Sequence, residues 1–429
     1  MSEELINQIV PSSWIRDTFS VSPDNRHVMY AVEVDDELAV LVDMQVGKPY
    51  DDIRKSPVFS PDSRRVAYAA QKGSKRLVVV DGEEGKAYDN IVGNHPVFSP
   101  NSRRFAYTAM EGGEIFVVVD GKEERKQYND IGIGVLMFSP DSRRLAYAAQ
   151  RGSQWFVVVD GQEGKAYDGL TIAAFSPDSQ RFAYGAGTGG KQFIVVDGKE
   201  EAPYDGIVSL LFSPDSQRIA YGTGIGAERL VVIDGQKGKK YALVGNIAFS
   251  PDSRRIAYGA GAKGEQLVVV DGHEQQPYYE IGKDSLIFSP DSRHLAYTAI
   301  LGDAQCVVLD GQEQTHYDGI GTLAFSPDSQ RLAYVAMMGE EQFVVIDGQE
   351  QKHYDDVLRG TLVFSPDSKH VVYGAGIDRE EFVVVDGREH TPYNSLVTIG
   401  GGRIVFDAPD RFHYLALRGL DILLVEETI

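Results

Sequence analysis

Phe59-Ser60-Pro61-Asp62-Ser63-Arg64-Arg65-Val66-Ala67-Tyr68 reads as a strand end, a tight turn and the start of a second strand. Pro presets φ in such a turn, and Asp and Ser bond the nearby backbone. The stretch recurs, with small changes, from Phe98, Phe138, Phe175, Phe212, Phe249, Phe288, Phe325 and Phe364. A variant starts at Val21 and a worn copy occupies residues 406–414. Eleven copies in 429 residues give a mean period of 39, which signals a repeat architecture.

Beyond the turn, each unit predicts four short strands. Val58-Phe59 ends the first, and residues 65–70 form the second, with Val66 and Tyr68 on one face and Ala67 and Ala69 on the other. Leu77-Val78-Val79-Val80 is apolar on both faces, as a covered strand should be. Asp81-Gly82 opens the next turn, and Lys86-Ala87-Tyr88 belongs to the fourth strand.

Spacing sharpens this reading. From the turn proline to the aspartate after the third strand is 20 residues in ten copies of ten, Pro23 to Asp43 through Pro366 to Asp386. From that aspartate to the fourth-strand tyrosine is 7 residues in nine copies, and 8 only between Asp120 and Tyr128. From the tyrosine to the next proline the distance varies from 10 to 16. Length change is therefore confined to the passage between units. Of the 22 tyrosines, eleven fall on second strands and ten on fourth strands, a packing and hydrogen-bonding pattern.

Four-stranded antiparallel units repeated about a centre make a β-propeller. The Phe-Ser-Pro-Asp-Ser-Arg-Arg-x-Ala-Tyr unit resembles the Pro-Asp type of WD-repeat-like blade found in bacterial TolB-like propellers. The resemblance spans almost the whole chain. It implies a bacterial binding or scaffolding module and no particular reaction, because the family includes stand-alone scaffolds and accessory domains of hydrolases.

The last unit supplies only three strands, in residues 403–406, 412–416 and 422–425, whereas residues 5–10 precede the first complete unit. The expected architecture is all-β: residues 1–429 as one closed ring of eleven four-stranded blades, the last completed by the N-terminal strand. That leaves no free sheet edge. Two rings of five and six blades are the alternative, with a junction between Tyr204 and Pro251. With sheets about 10 Å apart, a single ring of this size has a mid-blade radius of about 17 Å and leaves a central channel.

Composition excludes several function classes. The chain carries 42 basic and 63 acidic residues, a net charge of −21, which repels nucleic acid and anionic membrane. A basic or neutral partner is expected. No apolar run approaches the length of a membrane span, and residues 1–11 do not read as a secretory signal, so a cytoplasmic monomer is expected. A segment cut from a larger exported protein would look the same. Cys306, the only cysteine, sits in an apolar run and reads as a small buried hydrophobe.

No catalytic constellation emerges, and no cofactor is called for. The nine histidines are scattered with no close His-x-x-x-His or His/Cys pattern of zinc spacing, and the repeated Asp-Gly lacks the alternating carboxylates of a calcium loop, so no metal site is expected. The turn face, with arginines such as Arg64, Arg103 and Arg143, repeats in most units, and its charges read as solvated turn residues. The opposite face, where length varies, is the candidate binding surface. Its residues are Arg16, Arg54, Lys55, His95, Lys283, Arg359 and Arg403 in the connectors, with Met337 and Met338 in a second-to-third loop. The reading carried forward is a non-enzymatic scaffold with a protein or peptide partner on this connector face or at the channel mouth. A hydrolase or lyase assembled over the channel, and a purely structural array, are the alternatives. A scaffold predicts a broad patch of mixed polar and apolar groups, an enzyme a pocket of converging titratable groups.

Overall fold

The computed structural model describes residues 1–132 and 136–429, less the side chains of Arg54, Lys55, Ser56, Asn94, His95, Arg125 and Gln127. These residues form eleven antiparallel sheets arranged as a ring, an eleven-bladed β-propeller. In blade three, for example, Asn90–Phe98, Phe105–Glu111, Glu114–Val119 and Lys122–Tyr128 lie side by side in chain order. Blades one to ten occupy residues 14–50, 52–88, 90–128, 130–167, 169–204, 206–241, 243–278, 280–317, 319–354 and 356–393, and blade eleven residues 395–428 with 2–8.

First strands face the centre. They touch from blade to blade, as Trp14–Val21 touches Asp52–Phe59, whereas fourth strands lie against the next blade's second strand, as Gln45–Tyr50 does against Val66–Lys72. Third strands are buried on both faces, Glu114–Val119 being covered from Phe116 onward. Ser2–Gln8 pairs antiparallel with Asp421–Thr428 as the fourth strand of blade eleven, Ser2 opposite Glu426 and Gln8 opposite Asp421.

The repeated residues are the joints between blades. In the Ser-Pro-Asp-Ser turn the first serine is buried, donates to the turn aspartate and accepts the amide of the residue five places on, as Ser60 does with Asp62 and Arg65. The second serine holds positive φ, 63° at Ser63, and its hydroxyl accepts the amide of the preceding blade's turn, Asp24 N to Ser63 Oγ at 2.9 Å. The same bond recurs from blade to blade as far as Asp328 to Ser368. At the closure Asn25 takes the role, accepting the Arg403 amide.

The second residue of the Arg-Arg pair is also a joint. Arg65 Nε donates to Asp81 at 2.8 Å, Nη1 donates to the Ser102 carbonyl of the next turn at 3.1 Å, and the guanidinium covers Phe98 of the next blade. The tyrosines meet edge to face across most seams, as Tyr50 does with Tyr68 at 6.1 Å, and in several blades the fourth-strand hydroxyl donates to a glutamate one blade on, as Tyr128 does to Glu163 at 2.7 Å. In blade eleven Glu3 fills that glutamate's place, accepting from Tyr393 at 2.7 Å. In most blades the aspartate or asparagine after the fourth-strand tyrosine accepts an amide at the tip of the next blade's second-to-third hairpin, Gly112 N to Asp89 at 2.7 Å. The turn arginines and Tyr-Asp pairs thus build the ring.

One expectation changes. In blades one and three the variable passage is not a separate loop on a face. Tyr88 is still paired with Arg76 of its own blade, and the next residue, Asp89, already donates its amide to Met110 of the following blade. The extra residues fall inside the first strand, where pairing to the second strand is interrupted, between Ile15 and Ser20 in blade one and between Val92 and Val97 in blade three. A bulge costs least there, because no further strand lies inward to lose its ladder.

Candidate binding site

The site begins with these bulges. In blade one Thr18 Oγ1 donates to the Ile15 carbonyl at 2.6 Å and accepts the Ala31 amide at 2.7 Å. In blade eight Ser285 Oγ does the same with Gly282 and Thr298, at 2.7 and 3.1 Å. In blade ten Thr361 Oγ1 does so with Leu358 and Gly374, at 2.5 and 2.9 Å. Each hydroxyl replaces the ladder bonds that the bulge removes. The turns so closed carry Arg16, Lys283 and Arg359, all exposed and, among the described residues, without an acidic partner. The signal was present in sequence: a basic residue seven places before the turn proline and Ser or Thr five places before it, in blades one, two, eight and ten.

Blade nine has the shorter first strand, Gly319–Phe325, between the bulged blades eight and ten. Its shortness leaves a recess on each side. One cleft of about 430 Å3 lies toward blade eight, lined by Lys283, Asp284, Ser285, Gln305 and Thr322. A second of about 810 Å3 lies toward blade ten, lined by Val335, Met337, Asp356, Leu358 and Arg359. Ile320, Gly321 and Thr322 form their common wall. Asp284 accepts from Asn246 of blade seven.

The candidates named from sequence are thus sorted. Lys283, Arg359 and Met337 come together around blade nine. Met338 stands exposed at the end of the same second strand, Leu332–Met338. Arg16 sits on the corresponding bulge of blade one. Arg403 is a closure residue, donating to the Pro23 carbonyl at 2.6 Å. The side chains of Arg54, Lys55 and His95 lie outside the described residues.

Two other concentrations of polar groups are structural. At the closing seam Arg26 bonds Glu426 at 2.8 Å and Asp407 at 3.0 Å, and buried His413 lies between Asp407 and the Asp24 carbonyl. Nearby, burial raises the Glu427 carboxyl, but bonds from His390 and Tyr414 outweigh this and hold it below the usual range. On the turn face a cavity of about 280 Å3 opens beside Phe325. Blade eight has His294 where most blades have the clamping arginine. His294 reaches its own Asp310 at 2.6 Å, and no cation is stacked on Phe325 among the described residues. Cys306 is fully buried, and burial pushes its thiol up to about 11.

No protein-family model matches the chain, and no curated protein matches it. Among solved structures it is similar to a crystal structure of the eukaryotic initiation factor, at 12% identity over 75% of this chain and 94% of that one, with a TM-score of 0.40. It is similar to TolB from Acinetobacter baumannii at 19% identity over 51% and 61%, with a TM-score of 0.27. It is similar to the Dos1 propeller at 12% identity over 78% and 91%, with a TM-score of 0.33. The fold assignment rests on the eleven sheets of this chain. No helix is long and apolar enough to cross a membrane among the described residues.

Proposed function

We propose that the protein is a non-enzymatic binding scaffold that engages a protein or peptide segment on the inner wall of blades eight to ten. The observation that carries this reading is the pair of adjoining clefts around the short first strand of blade nine. Their lining is mixed: apolar Ile320, Val335, Met337 and Leu358 alternate with Lys283, Asp356 and Arg359. Charges of both signs, on the two blades that flank blade nine and left without ion-pair partners among the described residues, suit a peptide that presents both a carboxylate and an amine. The inner strand also offers an unpaired main-chain edge to an extended segment. The local charge therefore matters more than the acidic total, and the preference for a basic or neutral partner is replaced by one for mixed charge.

The test is a bead-displayed peptide library screened against the intact chain, with affinities of enriched peptides measured by fluorescence polarisation. K283E/R359E should weaken binding at least about tenfold, since removing a desolvated charge contact costs more than about 1.4 kcal/mol. R143E/R254E/R293E, on the turn face, should leave it unchanged. Loss of binding in the turn-face variant with retention in K283E/R359E would place the partner elsewhere.

A further inference from the structure

Blade eight departs from its neighbours at one pair of facing residues. At one place on the third strand most blades carry a large apolar side chain, such as Leu77, Phe116, Leu230 or Phe343. Blade eight carries Cys306 there, opposite His316 across the ladder to the fourth strand. Glu313 folds back toward His316, its Oε2 lying 3.1 Å from Nε2. The Cys306 sulfur, a Glu313 carboxylate oxygen and a His316 ring nitrogen all lie within 4.8 Å of one another. Residues ten apart in sequence gave no metal-binding spacing; the strand register brings them together.

Blade nine serves as an internal comparison. It has the same histidine and glutamate, His353 and Glu350, but Phe343 where blade eight has cysteine. The Phe343 ring stacks on His353 with centroids 4.1 Å apart and an interplanar angle of 6°. There His353 Nε2 stands 3.9 Å from Glu350. In blade eight the ring is gone, a sulfur takes its place, and imidazole and carboxylate draw closer. A further group faces the same spot. The Tyr278 hydroxyl of blade seven is buried, has no hydrogen-bond partner, and lies against Glu313 and Cys306.

We propose that Cys306, Glu313 and His316 form a zinc site at the outer edge of blade eight, with the fourth coordination position open to water or to a donor from a partner. Thiolate, imidazole and carboxylate are the three donors that zinc favours, and three protein ligands with one open position is a recurrent arrangement. Donor atoms about 2.0–2.3 Å from a tetrahedral ion stand about 3.3–3.6 Å from each other, so the observed cluster closes on an ion with small side-chain rotations. Binding forms the zinc–sulfur bond and releases the thiol proton to solvent; no redox change occurs. The buried sulfur anchors the ion, and exposed Glu313 and His316 provide the approach from solvent. None of the cleft residues takes part, so this site and the peptide site stand or fall separately.

Cobalt(II) is the probe, titrated into the chelator-stripped intact chain and followed by absorption. One equivalent should produce sulfur-to-cobalt charge-transfer and visible d–d bands, and zinc should bleach them. C306F installs the residue of blade nine, so the blade keeps its packing; far-UV circular dichroism should match the parent while the charge-transfer band disappears. H316A leaves the sulfur in place and should weaken zinc by more than the roughly 10–100-fold that loss of an outer-shell partner costs. Absence of the charge-transfer band in the parent overturns the site, as does its persistence in C306F. If C306F fails to fold, unchanged zinc affinity in H316A overturns it alone.

Discussion

Asn7 offers a direct test of how the ring closes. It lies on the N-terminal strand, is 1% exposed, accepts the Tyr30 hydroxyl of blade one at 3.0 Å and donates to the Asp43 carbonyl. Asn7→Leu keeps the volume and removes both bonds. A buried hydroxyl and a carbonyl are then left without partners, each costing about 1–3 kcal/mol, for a loss of about 2–6 kcal/mol. Tyr30→Phe in the same chain removes the stranded hydroxyl and should restore about 1–2 kcal/mol of that loss, a coupling that a double-mutant cycle isolates. Urea unfolding of the four proteins, followed by far-UV circular dichroism, gives the free energies. If Ser2–Gln8 were not seated in blade eleven, Asn7 would face solvent and its replacement would shift stability by no more than about 0.5 kcal/mol. That result, or the absence of coupling to Tyr30, would refute the closure.

Acid should loosen the ring at its turns. Hydrogen bonds from the first turn serine hold Asp62, Asp141, Asp178, Asp215, Asp252, Asp291 and Asp328 below the usual carboxylate range, and Asp367 at about 2. Groups lowered on folding stabilise above their unfolded value of about 4 and lose that contribution as pH falls through the folded values. The urea midpoint should therefore drop most steeply from about pH 4 toward 2. The triple variant Asp62→Asn/Asp141→Asn/Asp178→Asn, which installs the residue that blade three carries at Asn101, should flatten the drop; an unchanged slope would exclude these turns as its source. His294→Arg should fill the cavity beside Phe325, since seven other blades hold a guanidinium 5.2–5.4 Å from the following phenylalanine. The gain should be about 1 kcal/mol in urea unfolding, from a cation–π contact and a hydrogen bond to the next turn. A destabilised variant would mean that the space is not a missing arginine.

The eleven units, four strands each, and the completion of the last blade by the N-terminus were legible in the chain because they depend on local rules. Pro, Asp and Ser dictate a turn by their own backbone chemistry, and alternating or continuous apolar runs dictate strands. A fixed 20-residue spacing from proline to aspartate dictates that the second and third strands and the hairpin between them never change length. Even Glu3 belongs to the repeat, since it supplies the glutamate that the last fourth-strand tyrosine requires. What the repeated residues do was less legible. The turn arginines read as solvated because their partners, the next blade's phenylalanine and turn carbonyl, are 31 or more residues away; Arg65, for instance, covers Phe98.

Read along the chain, the residues specify the ring and mark where length is free to vary. What that freedom makes depends on how the blades assemble. Insertions between Tyr and Pro, expected as loops on one face, are bulges of the innermost strands in blades one and three, because the chain starts pairing in the next blade one residue after leaving the last. Lys283, Met337 and Arg359 converge only because a short first strand stands between two bulged ones. Cys306, Glu313 and His316 converge only because an antiparallel register sets residue 306 opposite residue 316. Spacing along the chain encodes the strands; the contacts that make a site run across strands and blades, and their distances are set by register and bulge rather than by sequence separation.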